Sequence, residues 1–230
     1  MSANKPRLRK TATRLHRDAC ALVGACLVAA WLCDAAAAQV AAPAYQSRFA
    51  DAPPARVGQA SRGEGSTVQL VVLAPDRKGA SAQPSPRLCW FLSGPSDRAL
   101  EVVVQERGAD QPLLERRLDA AGGGFQSIDL HELGIVLEPG KEYEWSVALI
   151  VDPARRASDL FSKGVVQYVP PDGALPSGTP EQMVNEFLAQ GYWYDAIALM
   201  QQTLVSNPGS ADMIAQRQRV LEAEHLLTQR

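Results

Sequence analysis

The stretch Leu137–Ile150, LEPGKEYEWSVALI, decides the fold. It opens on a Pro139-Gly140 turn and runs into a strand in which Tyr143, Trp145, Val147 and Leu149 alternate with Glu144, Ser146, Ala148 and Ile150. A period of two with one strongly apolar face marks a half-buried strand in an antiparallel sheet. Outward from this strand, Tyr143–Val151, the same reading finds Val68–Ala74, Arg87–Ser93, Ala99–Glu106, Leu113–Leu118, Phe125–Leu130 and Gly164–Val169. Gly94-Pro95-Ser96-Asp97, Gly108–Gln111, Gly122-Gly123-Gly124 and Asp152-Pro153 punctuate them as turns. About seven short antiparallel strands at this spacing predict a β-sandwich over residues 67–170.

Trp90 lies in the second strand, in phase with Leu88 and Leu92, and Tyr143 follows the Leu137-x-Pro139-Gly140 turn. The arrangement resembles fibronectin type III domains, where a tyrosine corner follows such a turn and a tryptophan lies beneath it. Trp90, Tyr143 and Trp145 are the expected core. The same strands carry apolar residues on their other face, Val71 and Leu73 in the first and Cys89 and Phe91 in the second. An antiparallel sheet with one face in water alternates apolar with polar, so this outer face should have a cover.

The chain changes character at Pro170-Pro171-Asp172-Gly173, and residues 177–230 read as a C-terminal helical segment. Thr179-Pro180-Glu181-Gln182 is a capping box with proline at the first helical position. Met183, Val184, Phe187 and Leu188 follow on one face, and Gly191 ends the helix. The next helix, Tyr192–Ser206, carries two apolar stripes: Trp193, Ala196, Met200 and Leu204, and beside them Tyr192, Leu199 and Thr203. Phe187, Gly191, Trp193, Ala196, Met200, Leu204 and Pro208 resemble a single tetratricopeptide unit, with Trp193 and Ala196 in its core. The first helix departs from that pattern at Pro180 and Val184, and one unit is no solenoid. A third helix is predicted over Ala211–Gln229, its seam interrupted by Arg217 and Glu224. The nearest candidate for the sheet cover is the Tyr192/Leu199 stripe, with the third helix or the Gln39–Ser66 arm as alternatives, and Tyr192, Leu199 and Arg217 are the candidate partner surface.

The N-terminus reads as a secretory signal peptide over residues 1–38. Lys5, Arg7, Arg9, Lys10, Arg14 and Arg17 precede an apolar run, Ala19–Cys33, and Ala36-Ala37-Ala38 stands before Gln39. The run is short of the roughly 20 residues of a spanning helix; an uncleaved anchor, or a lipid on Cys26 of Val23-Gly24-Ala25-Cys26, are the other readings. Residues 39–66, rich in Ala, Pro, Gly and Ser, form either a flexible linker or an arm that docks on the domain. Cleavage removes Cys20, Cys26 and Cys33 and leaves Cys89 alone, so the mature domain has no internal disulfide and must rely on its core. It also leaves 17 basic and 23 acidic residues, a net of −6. Such a surface repels phosphate backbones, so neither nucleic acid nor, once processed, a membrane is an expected partner.

Chemistry-bearing motifs are sparse. His131 and His225 are isolated from each other and from cysteine, which is no metal-ligand spacing. There is no G-x-S-x-G elbow. Gly122-Gly123-Gly124 lacks the lysine and the helix of a phosphate loop. No cofactor and no catalytic residue is expected, although a carboxylate pair assembled only by the fold would escape such a reading.

Four stretches together are similar to the exported bacterial family known as domain of unknown function 928: Arg56–Gly63, PSPRLCWFLS at Pro84–Ser93, LEPGKEYEWSVALIVDP at Leu137–Pro153, and GYWYDAIALM at Gly191–Met200. Arg156-x-Ser158-Asp159 and Gly164–Val169 fit the same pattern. The resemblance implies no activity and transfers no catalytic residue. The expected function is a non-catalytic interaction module of the cell envelope, periplasmic or secreted, whose partner is another exported or envelope protein. The alternative is a carbohydrate- or small-ligand-binding module using Tyr45, Tyr168 or Tyr194. N-terminal sequencing of the protein from the envelope fraction should start at Gln39; retention of Met1 would make the N-terminus an anchor.

Overall fold

Strand-forming residues dominate the first two-thirds of the domain, and the backbone follows them. A computed structural model describes residues 44–57, 68–119 and 122–227; the Ala38–Gln39 cleavage site lies outside these. The strands are β1 (Leu70–Val72), β2 (Gly79–Ser81), β3 (Arg87–Leu92), β4 (Leu100–Glu106), β5 (Leu114–Leu118), β6 (Gly124–Asp129), β7 (Glu142–Leu149) and β8 (Leu160–Tyr168). They form two sheets, ordered β1-β3-β6 and β2-β8-β7-β4-β5. Three helices follow: α1 (Pro180–Ala189), α2 (Trp193–Ser206) and α3 (Ala211–Ala223).

The strand through Trp145 sits at the centre of the larger sheet. Tyr143, Trp145, Val147 and Leu149 are buried, while Glu142, Glu144, Ser146 and Ala148 are half-exposed. Leu88, Trp90 and Leu92 of β3 meet them from the smaller sheet in one apolar core. The sheets are also tied through a polar atom, since the Val72 N–H donates to the Ser162 hydroxyl at 3.0 Å. At the Pro139-Gly140 turn the Tyr143 hydroxyl accepts from the Glu138 N–H at 3.0 Å, which locks the approach to β7.

The structure corrects the expected strands in three places. β2 was not anticipated: Gly-Ala-Ser has no alternation to read, and it pairs with β8 in parallel, not antiparallel. β1 is only three residues long. β8 begins at Leu160, not Gly164, because its register against β7 continues to Leu149 opposite Leu160; buried Ser162 breaks the apolar period there.

The helices behave as their end signals dictate, with one exception. Thr179 and Gln182 close the capping box of α1. Gly191, at φ +78°, supplies its left-handed stop, and the Tyr192 N–H reaches back to Phe187 O. α3 stops at Ala223, not Gln229. His225 takes the left-handed position at φ 53°, the His225 N–H bonds Glu222 O and the Leu226 N–H bonds Leu221 O. This is the same kind of stop made without glycine, and it places His225 beyond the helix.

The outer face of the smaller sheet is covered. Val71, Leu73 and Cys89 are buried, and α2 packs on β2 and β3. Trp193 reaches the end of β1 through Leu73 O, while Tyr192 of the expected stripe packs on Phe187 and Leu199 lines a cleft beside β3. Phe91 is half-buried and packs at a tilt on Phe125, ring centroids 4.9 Å apart, with the Arg217 guanidinium 3.7 Å above the Phe125 ring. Residues 44–57 run over the helices and end along β8. Gln46 N–H donates to Leu188 O, Arg48 Nε to Gln190 O, and Val57 bridges Lys163.

Trp90 is fully buried and its indole N–H has no acceptor. Trp90→Ala should therefore cost roughly 3–5 kcal/mol of stability in denaturant unfolding. Trp90→Phe should cost much less, because it also removes a buried unsatisfied donor. A loss below about 1 kcal/mol for the alanine variant would make Trp90 peripheral.

Candidate functional site

The first turn of α2, Trp193-Tyr194-Asp195, joins the helices to the sheets. Trp193 Nε1 donates to Leu73 O at the end of β1, 2.8 Å away. Tyr194 Oη accepts from Trp145 Nε1 at 2.8 Å and donates to Val165 O at 3.1 Å. Its ring fits there because β2 presents a glycine: a Cβ on Gly79 would stand 2.8 Å from the ring, while Gly164 of β8 makes room for Ala74 beside it. Burial holds the Tyr194 hydroxyl far above the usual phenol range, so it remains a donor. Asp195 Oδ2 accepts from the Ala82 N–H just past β2, at 2.8 Å. The N–H groups of Asp195 and Gln83 and the Ser81 hydroxyl also support this carboxylate, yet burial outweighs them and pushes its pKa up to about 6.

Beside this junction lies an open cleft of about 340 Å³, within the size range of small-ligand and side-chain pockets. Met183 and Phe187 of α1 and Ala198 and Leu199 of α2 form its apolar floor. Gln83, Ser85, Arg87, Asp129, His131 and Gln202 form a polar rim. Arg87 pairs with Asp129 Oδ2 at 2.5 Å, and the His131 N–H takes the other oxygen, Oδ1, at 2.9 Å. Both carboxylates of the cleft, Asp129 and Asp195, are thus occupied by the fold. A second groove, of about 330 Å³, crosses the outer face of the larger sheet. In it Arg156 pairs with Glu101 and with Asp159, each at 2.6 Å, and Asp159 accepts the Val151 N–H. These bonds tie the 152–159 loop down and account for the Arg156-x-Ser158-Asp159 motif.

The candidate residues divide as follows. Trp90, Tyr143, Trp145, Trp193 and Ala196 are fully buried. Of the candidate partner surface, Leu199 lines the cleft, half-buried. Tyr192 does not belong there: it is 1% exposed, packed on Phe187 with the Arg48 guanidinium 4.4 Å over its ring. Arg217 is half-buried above Phe125 and donates to Gln201 Oε1 at 3.0 Å, an internal strut. Of the aromatics considered for sugar binding, Tyr194 is buried, Tyr45 stands edge-on to Trp193 at 4.9 Å and Tyr168 is half-buried. Asp195, Arg87 and Asp129 were missed, because only the fold brings residues so distant in sequence to one place.

Among the described residues no helix is long and apolar enough to cross a membrane, and no cluster of three His, Cys, Asp or Glu side chains could hold a metal ion. The family described as Domain of Unknown Function (DUF928) matches residues 57–229. No curated protein matches the chain.

Asp195 generates a pH prediction. A carboxyl with a raised folded pKa contributes stability that is full below its unfolded pKa, near 4, and is lost as pH rises through about 6. Asp195→Asn keeps an acceptor for Ala82 but cannot titrate. Urea unfolding from pH 4 to 7 should show wild-type stability falling relative to Asp195→Asn as pH rises; parallel profiles would place the Asp195 pKa near its ordinary value.

Proposed function

The chain belongs to the DUF928 family, and we propose that it is a non-catalytic protein-interaction module of the cell envelope. The observation that carries this reading is the cleft between α1, α2 and the β2–β3 loop. Its floor is apolar, its rim is polar, and each of its carboxylates already serves the fold. Such a lining suits an inserted apolar side chain from a partner flanked by hydrogen bonds to the rim. The basic N-terminal segment and the Ala36-Ala37-Ala38 site support export to the periplasm or beyond.

The architecture we infer is a fibronectin-like sandwich carrying one tetratricopeptide-like hairpin. The Tyr143 corner and the strand order support the first half: β1-β3-β6 and β4-β7-β8 correspond to the ABE and CFG strands of such sandwiches. The burial of Trp193, Ala196 and Met200 supports the second. The competing carbohydrate reading requires two or more solvent-facing rings on one surface. Among the described residues Phe161 alone is an exposed aromatic, at 40%, which favours a protein partner.

Affinity capture from envelope extracts, with wild type beside Leu199→Glu, tests this reading. A charge on the cleft floor should reduce recovery of the captured protein by tenfold or more, roughly 1.4 kcal/mol in binding, while the melting temperature stays near wild type. Capture indifferent to the substitution, or retention on a polysaccharide instead, would refute it.

A further inference from the structure

We propose that two copies of this chain pair through the outer edge of β5. This strand ends the larger sheet, with β4 on one side and, among the described residues, no strand on the other. An open edge is a row of unpaired N–H and C=O groups, a template for a further strand. The sequence of the edge says which strand fits. Leu114-Glu115-Arg116-Arg117-Leu118 is self-complementary against an antiparallel second copy about a two-fold axis at Arg116. In that register Leu114 faces Leu118 and Glu115 faces Arg117, each pair occurring twice.

The register with β4 sets what each pair does. Leu114, Arg116 and Leu118 stand opposite Val104, Val102 and Leu100, the core side of the sheet. Glu115 and Arg117 stand opposite Val103 and Glu101, the outer side. The leucines are only half-buried although they pack on the core, and pairing would carry that apolar layer from one copy into the next. Glu115 and Arg117 are exposed, and among the described residues neither has a side-chain partner, so a second copy would satisfy both. Two adjacent arginines alone would guard an edge against pairing; Glu115 makes the charge pattern match itself. Arg116 meets its own copy on the axis and opposes the contact. A five-residue strand pair also falls below the roughly 1,200 Å² of a stable interface, so the dimer forms only with rising concentration.

Sedimentation of the processed chain from micromolar to millimolar concentration tests this pairing. The expected result is a mass climbing from one chain towards two. Glu115→Arg alone and Arg117→Glu alone should each hold the protein monomeric where wild type associates. The double variant Glu115→Arg/Arg117→Glu re-forms both ionic pairs in reverse and should restore association. Arg116→Thr removes the like-charge contact and should shift the midpoint to roughly two- to fivefold lower concentration. All three side chains are exposed, so unchanged melting temperatures separate these effects from misfolding. A single-chain mass at every concentration, for wild type and Arg116→Thr alike, overturns the proposal and leaves the edge to another segment or another protein. Association indifferent to the single charge reversals overturns it as well.

Discussion

The hydrogen-bond chain from Trp145 Nε1 through Tyr194 Oη to Val165 O is the constraint on which the rest of this structure depends. It crosses from the centre of the larger sheet to the first turn of α2, entirely out of water. A buried indole N–H and a buried phenol are costly unless each finds its partner. Here one hydroxyl satisfies both the tryptophan and itself, and it does so only when the helix stands at one position and rotation. Trp193 to Leu73 O and Asp195 to the Ala82 N–H fix the two neighbouring directions. Three consecutive side chains thus bond to β1, to β7 and β8, and to the end of β2. The cleft follows from this, because its floor is what remains of α1 and α2 once α2 is bolted down.

Much of this was legible in the sequence, for identifiable reasons. The alternation through Tyr143–Leu149 is strict, and each position lies where a period of two puts it. The doubled apolar faces of β1 and β3 required a cover, and the helices supply it. The stops at Gly191 and Asn207-Pro208-Gly209 use residues whose backbone preferences speak for themselves. The identity of the covering stripe was not legible. A helix with two apolar stripes shows that it has two neighbours, not which stripe meets which. Tyr194 and Asp195, which settle the matter, look like polar surface residues until their partners are known.

The other misses share a cause: the deciding residue acts through a distant one. β2 is three small residues made into a strand by β8. Ser162 conceals the start of β8 because it faces the core to serve Val72. His225 closes α3 although sequence habit reserves that conformation for glycine or asparagine. The packing of residues 44–57 depends on Gly191, where any side chain would strike Gln46 O or Arg48. Composition describes that arm as linker, while its Tyr45, Arg48 and Arg56 find specific seats. Arg56 bonds both Ala74 O and Glu224 O, so it joins the end of β1 to the end of α3.

The distribution of charge then separates the faces of the molecule. The outer side of the larger sheet carries pairs such as Lys163 with Glu144, Lys78 and Arg107 with Glu142, and Arg156 with Glu101. Pairs this exposed contribute little to stability. They keep most of this face hydrated, and Phe161, 40% exposed in the second groove, is its apolar exception. The opposite face, on the smaller sheet, is already closed by helices and capped by Arg217. Two other openings lie at borders, where one element ends and the next does not cover it. The cleft lies at the border of helices and β3. The β5 edge lies where the larger sheet ends. The two are built from different strands, so occupation of one leaves the other's residues in place.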